Sequence, residues 1–304
     1  MTNRIALVNT SEFPCPGSHL LHARKLLGAF SSQGYAYQEI TADASQTVFE
    51  LREGDIAYIS NHGLISGQPS SRQIEILDAL AKAGVVPIFW FWHEHTELLD
   101  SIFGSRWILT GEHLRAKNVL PSHEVFARIT NSRENFVPSR FASALQPFEI
   151  GKTPRTNLYN ASFVGHRYQR VLNTRLSWTL PKVKIVYTPP FISEDERISL
   201  FTSSHIVLGW HSSSNIVNGN VVERVFEGLA FGSAVITDNP FALEATDGNV
   251  LFANTYSQTK EYFERIISDS RFRETLQETG KAWAKSHGTY DSVANSFITT
   301  ARNL

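Results

Sequence analysis

Apolar positions in the first half of the chain switch between a strand-like run and a helical period. Residues 4–8, RIALV, form a short apolar run that closes on the turn-rich segment NTSEFPCPGS. Leu20, Ala23, Leu26 or Leu27, and Phe30 then recur at helical spacing until Gly34. Strand, loop and helix in that order are the opening unit of a doubly wound fold. IAYIS (56–60) reads as another buried strand, and RQIEILDALAKAG (72–84) as a helix stopped at Gly84. VVPIFWFW (85–92) is apolar on both faces, as central parallel strands are, and RWILTG (106–111) is a further strand.

The pattern breaks over 138–157, PSRFASALQPFEIGKTPRTN, where prolines punctuate a stretch without a period; it reads as a linker. A second α/β series follows: ASFVG (161–165), a helix through Leu172 and Leu176, KIVY (184–187), a helix near 194–202, HIVLGW (205–210), a helix from about Asn220, and SAVITD (233–238). The end of the chain is helical, with Phe272, Leu276 and Trp283 on one face and Val293, Phe297 and Ala301 on another. The expected architecture is α/β, with Rossmann-like domains over 1–148 and 149–288 and a last helix over 289–304. Two such domains in tandem imply that they face each other across a cleft, with ligands at the carboxyl ends of the strands.

Composition narrows the classes. A chain of 304 residues suits two domains, and 42% apolar with 19% charged residues is globular, not disordered. A formal net charge of −1 provides no overall field for nucleic acid or an acidic membrane. Cys15 is the only cysteine, so an intrachain disulfide is excluded and a cysteine-based metal site implausible. MTNRIALVNT lacks the charged head and long apolar run of a signal peptide, and the longest apolar stretch, GVVPIFWFW, is too short to span a membrane. A cytoplasmic protein is expected.

The strongest chemical signal is NVVERVFEGLAFGSAVITD, residues 220–238. It is a helix followed closely by a strand, with Glu227 near the middle of the helix and Gly228, Ala230 and Gly232 small enough for close approach. A carboxylate there can accept two hydrogen bonds from a ribose diol; a solvated helix glutamate is the other reading. The segment resembles the donor-binding motif of bacterial group 1 glycosyltransferases, in the branch written R-x-F-E-x-L-A-x-G-x-x-x-x-T-D that includes spore-maturation-type enzymes. Arg224, Phe226, Glu227, Leu229, Ala230, Gly232, Thr237 and Asp238 match it. ASFVGHRYQR (161–170) resembles the strand-and-glycine start of that donor domain, at Gly165. PIFWFWHEH (87–95) and SHGTYDSVANSF (286–297) resemble an N-domain strand and the terminal H-T-Y element. The resemblance implies a GT-B fold and a nucleotide-sugar donor with no further cofactor. It also implies a last helix that leans back on the first domain, and a ribose contact from Glu227. Tyr187 and Asn220 are counted with the donor-binding residues. Many group 1 enzymes hold the transferred sugar with a second glutamate at the place occupied here by Gly219.

Charge supplies a separate argument. Between Glu149 and Glu194 there is no acidic residue, while Lys152, Arg155, Arg167, Arg170, Arg175, Lys182 and Lys184 fall in the stretch. A departing diphosphate gains negative charge that cationic side chains stabilise, and arginine engages phosphate in a bidentate way. Most of these groups are expected to be solvated. Arg167, just after Gly165, is the best placed, and Arg224 the second choice.

The first domain is expected to supply the acceptor site and any general base, with Glu12 in the first loop and His93, Glu94 and His95 after a buried strand as candidates. His95 is favoured, because it lies furthest beyond the strand end. The His pair also permits a metal, but no third ligand is visible, and the chain has no D-x-D triplet, so metal-independent transfer is expected. The loop PCPGS (14–18) lacks G-x-G-x-x-G, which weakens a dinucleotide-enzyme reading. The acceptor stays open among glycan, lipid, protein, small molecule and modified nucleobase. The alternative is a non-catalytic nucleotide- or sugar-binding module on the same fold, supported mainly by Gly219.

Overall fold

A computed structural model of the chain describes residues 3–15, 17–41, 51–60, 69–90, 96–111, 136–138, 155–166, 170–187, 192–217 and 221–304. They fall into two units, one taking the described residues up to Gly111, residues 136–138 and Tyr290–Leu304, the other those from Arg155 to Thr289.

The first unit contains β1 (Arg4–Val8), α1 (Gly17–Ser32), β2 (Ala36–Ile40), β3 (Ile56–Ser60), α2 (Ser71–Lys82), β4 (Val86–Trp90), α3 (Thr96–Phe103), β5 (Ile108–Gly111) and β6 (Phe136–Pro138). Its sheet runs β2-β1-β3-β4-β5-β6, every pairing parallel. β1 pairs on both sides, Ile5 opposite Tyr37 and Ile56, which is why Ile5–Val8 are fully buried. Its amino end is locked to that of β3 by Asp55, which is 1% exposed and accepts from the Arg4 amide (2.8 Å), Arg4 Nε (3.0 Å) and the Arg52 amide (3.1 Å). β2 is absent from the sequence reading: AYQEI is an edge strand, polar and largely solvated, without the apolar run that betrays its neighbours. Phe89 meets the rings of Phe103 and Trp107 edge-on at 6.1 and 6.2 Å, filling the core between β4, α3 and β5.

The second unit contains β7 (Tyr159–Gly165), α4 (Arg170–Thr179), β8 (Val183–Tyr187), α5 (Glu194–Thr202), β9 (Ser204–Gly209), α6 (Ser213–Val217), α7 (Glu223–Ala230), β10 (Ala234–Thr237), α8 (Phe241–Ala245), β11 (Leu251–Phe252), α9 (Tyr256–Ser268) and α10 (Ser270–His287). Its sheet, β11-β10-β9-β7-β8, is also parallel throughout. One face buries Val164, Val207, Val225, Leu229 and Val235. The other buries Phe163, Leu176, Ile206, Leu208, Ile236 and Phe263. The alternation along β7 and β9 thus divides two cores, as a doubly wound sheet requires. α10 serves both: Phe272 and Leu276 pack with the second cluster, whereas Trp283 belongs to the first, stacked on Phe226 at 6.0 Å. One face of the helix therefore packs on two cores in turn along its length.

The last helix, α11 (Tyr290–Asn303), belongs to the first unit and lies along α1, with Phe297 stacked on Phe30 at 6.3 Å. Among the described residues no helix is long and apolar enough to cross a membrane.

Candidate active site

The chain runs from β7 outward to β8, then crosses to β9 on the opposite side of β7. That reversal opens a crevice outside the carboxyl ends of β7 and β9, where open α/β sheets bind ligands. α7 brings side chains to it, and its placement follows from its small residues. A Cβ on Gly228 would stand 2.7 Å from Val235 Cγ2 and 3.0 Å from Val207 Cβ. A Cβ on Gly209 would stand 2.8 Å from Val225 Cγ2. The two glycines therefore set how closely α7 lies on β9 and β10, against a helix-propensity cost of about 1 kcal/mol for Gly228. The helix stops at Gly232, φ +75°, in a Schellman arrangement: Gly232 N–H donates to the Leu229 carbonyl (3.0 Å) and Ser233 N–H to that of Gly228 (2.8 Å).

On the first turn of α7, Arg224 reaches the end of β7. Its Nη1 donates to the Trp210 carbonyl, its guanidinium lies 5.2 Å from the centre of the Phe163 ring, and a Cβ on Gly165 would meet Nη2 at 2.5 Å. Gly165 thus leaves the room that the guanidinium occupies. Tyr187 ends the neighbouring strand in register with Gly165 and packs edge-on against Phe163 at 6.2 Å. One turn along, Glu227 is 2% exposed, and its Oε1 lies 2.9 Å from Nη2 of Arg197 on α5.

His211 joins this group without having been singled out in the sequence. Its Nε2 accepts from the Val222 amide (3.1 Å), so the ring proton sits on Nδ1 and is donated to Asp238 Oδ1 (2.9 Å). The same oxygen accepts the His211 amide at 2.9 Å. Burial, the largest influence, holds the His211 pKa below its ordinary value even though Asp238 pulls it upward. Beside it, Thr237 Oγ1 donates to the Gly209 carbonyl (2.9 Å), and Trp210 Nε1 to Asn173 Oδ1 (2.8 Å). The Thr-Asp pair of the motif therefore ties the ends of β9 and β10 together. A lone histidine after HIVLGW gave no hint of this, and Arg197 stands thirty residues before Glu227 with no periodic link to it.

The basic stretch disperses. Arg155 lies at the amino end of the sheet, donating to the carbonyls of Phe231 (2.9 Å), Gly232 (2.5 Å) and Ser204. Burial lowers its pKa to about 10. It ties down the starts of β9 and β10, on the side of the sheet away from the crevice, and is removed from the phosphate candidates. Arg175 lies 3.8 Å from the centre of the Tyr256 ring, and Lys182 and Lys184 are exposed. Arg167 and Asn220, like Gly219, lie outside the described residues, as do His93, Glu94 and His95.

Glu12 lies in the loop after β1, at the corresponding reversal of the first sheet. Gln73 joins the amino end of α2 in a capping box with Ser70 and also donates from Nε2 to the Glu12 carbonyl (2.8 Å). Burial works to raise the Glu12 pKa, but hydrogen bonds from its own backbone, Ser11 and Thr10, with Arg72 nearby, leave it below the ordinary carboxylate value. Among the described residues no three His, Cys, Asp or Glu side chains are grouped to hold a metal ion.

A family profile described as glycosyl transferase-like matches residues 154–299. No curated protein matches the chain by sequence. Among solved structures the chain is similar to HepE of Anabaena in complex with UDP and glucose: TM-score 0.60, 12% identity, 99% of this chain and 100% of that one. It is similar to a glycosyltransferase of Rickettsia africae: TM-score 0.58, 10% identity, 99% and 98% of the two chains. It is also similar to an α,α-trehalose-phosphate synthase (UDP-forming) of Burkholderia vietnamiensis: TM-score 0.52, 9% identity, 95% and 81%. The fold is GT-B, and the glycosyl transferase-like profile covers about the second half of the chain.

Proposed function

We propose that the chain is a glycosyltransferase that moves a sugar from a nucleotide-sugar donor to an acceptor hydroxyl or amine, with cationic side chains in place of a metal at the donor diphosphate. The observation that carries the reading is the guanidinium of Arg224, anchored on the Trp210 carbonyl and set against Gly165 where the second sheet reverses. There a fixed positive charge on the first turn of a helix meets the place where a diphosphate would leave, and the helix dipole adds to it. Arg167 is assigned as a second phosphate contact. Tyr187 is placed beside the base or ribose, and Asn220 near the phosphates.

Glu227 is assigned the ribose diol. Arg197 orients its carboxylate, and the donor must displace part of what covers it. HepE, complexed with UDP and glucose, makes a uridine nucleotide the first donor to test. The motif through Thr237 and Asp238 supports membership of the spore-maturation-type branch. On the acceptor side His95, Glu94 and Glu12 are assigned as base or sugar contacts.

Thermal shift against a panel of nucleoside diphosphates and their sugars tests the donor, because a bound ligand raises stability by mass action. A match should then be followed by donor turnover in EDTA. Turnover that stops in chelator and returns with Mg²⁺ or Mn²⁺ overturns the metal-free assignment; a panel with no shift overturns the donor.

A further inference from the structure

Val222 caps α7 without a side-chain hydrogen bond of its own, and its amide is instead held by His211 Nε2 at 3.1 Å. The same ring is held by Asp238 Oδ1 at 2.9 Å, and the ring is 1% exposed. One imidazole therefore connects the end of β10, the residue after Trp210 and the start of the helix that carries Arg224. Trp210 in turn supplies the carbonyl on which Arg224 is anchored. The histidine stands between the two supports of that guanidinium.

We propose that neutral His211 is a positioning residue for the donor: by accepting from the Val222 amide it fixes the first turn of α7 and so the place of Arg224. This rests on the donor reading above. A second ring proton would occupy Nε2, turning its acceptor into a donor facing the Val222 N–H. The cap would then lose its partner, and two donors would confront each other in a buried site. Among the described residues, the charged groups facing the ring are Asp238, after β10, which favours the second proton, and Arg224, on α7, which opposes it; the Gly209 backbone of β9 also favours it. Burial outweighs the two that favour it, so the ring is neutral at neutral pH and the device is set. The consequence is an acid-sensitive donor site whose sensor does not touch the donor.

The test uses the full chain, UDP as probe, and two variants. His211→Gln keeps an amide oxygen able to accept from Val222 and cannot titrate in this range. His211→Phe fills the space and removes the acceptor. Hydrogen exchange of the peptide spanning Val222 is compared between wild type and His211→Gln at matched pH. Wild type should lose protection relative to the variant as pH falls from about 7.5 to about 5.5, since the competent fraction falls with ring protonation. Equal protection at every pH overturns the proposal.

Calorimetry with UDP is the second readout. The terminal phosphate of UDP titrates near about pH 6, so only the difference between wild type and His211→Gln is read. Wild type should lose affinity up to about tenfold more than the variant over that range. His211→Phe should bind UDP about tenfold or more weakly than His211→Gln at neutral pH, with unfolding temperatures of both recorded. Equal pH dependence in wild type and His211→Gln, or full affinity in His211→Phe, overturns the positioning role. If no nucleotide binds wild type at any pH, the donor reading and the positioning role fall together. A pH-dependent exchange difference would then show a latch that serves something other than a donor.

Discussion

Arg197 on α5 and Glu227 on α7 meet at 2.9 Å between Nη2 and Oε1, with the glutamate side chain 3% exposed and the arginine 25%. Thus the carboxylate proposed to bind the ribose is half of a largely buried ion pair, and mutation separates the proposed contact from the structural one. Glu227→Ala should weaken nucleotide binding by about 10–100-fold, the worth of a hydrogen bond to a charged group. Arg197→Ala leaves a buried carboxylate without this partner and should cost about 3 kcal/mol of stability. Calorimetry and denaturant unfolding on both variants check the pair. Unchanged nucleotide affinity in Glu227→Ala, in a folded protein, refutes the ribose contact.

The role proposed for Arg224 is to stabilise charge that develops during transfer. Arg224→Ala should lower kcat by about 10²–10³-fold, the scale for removing one preorganised donor from a leaving group. Arg224→Lys should recover little of this, because an ammonium cannot both donate to the Trp210 carbonyl and present a planar fork to phosphate. Steady-state kinetics with the donor found in the nucleotide panel decides it, and a lysine variant with wild-type kcat counts against a bidentate role.

Acid should destabilise the fold. His205 and His211 both have pKa values lowered chiefly by burial. For a base whose folded pKa is depressed, the unfolded chain takes up the proton first. Their contribution is therefore complete above the ordinary value of about 6.5 and is lost as pH falls from there toward the folded pKa. His211, the more buried, should set most of the slope, at most about 1.4 kcal/mol per pH unit, while the partly exposed His205 adds less through solvent screening. Unfolding temperature measured from about pH 8 to about pH 5 should fall on the acid side, and His211→Gln should flatten that fall. Superimposable curves for the two proteins exclude His211 as the source.

Gly228 is a packing requirement, so an alanine there should not stabilise the helix as propensity alone suggests. The added methyl meets Val235 Cγ2 at 2.7 Å and Val207 Cβ at 3.0 Å. Overpacking of this kind costs about 1–3 kcal/mol, more than the gain of about 1 kcal/mol in helix propensity. Gly228→Ala should lower stability, read from urea unfolding; an increase would show that α7 can lift off the sheet at no cost.

The sequence by itself determined the two doubly wound halves. Strands such as RIALV and HIVLGW are buried on both faces, and an apolar run of that length leaves few other choices. It determined α7 and its closing glycine as well, since Gly228 and Gly232 are needed by a helix lying on a sheet and ending in a left-handed turn. It did not disclose β2, whose edge position leaves Tyr37, Gln38 and Glu39 polar and partly solvated. It ranked Arg224 as a phosphate contact but gave no structural role to Arg155, one of a basic stretch expected to be mostly solvated; only the tertiary fold draws Arg155 onto the carbonyls at the amino end of the sheet. Arg197 with Glu227, and His211 with Asp238 and Val222, were likewise decided by folding. Their partners come from separate elements, and hydrogen-bond geometry between distant segments leaves no period in the chain.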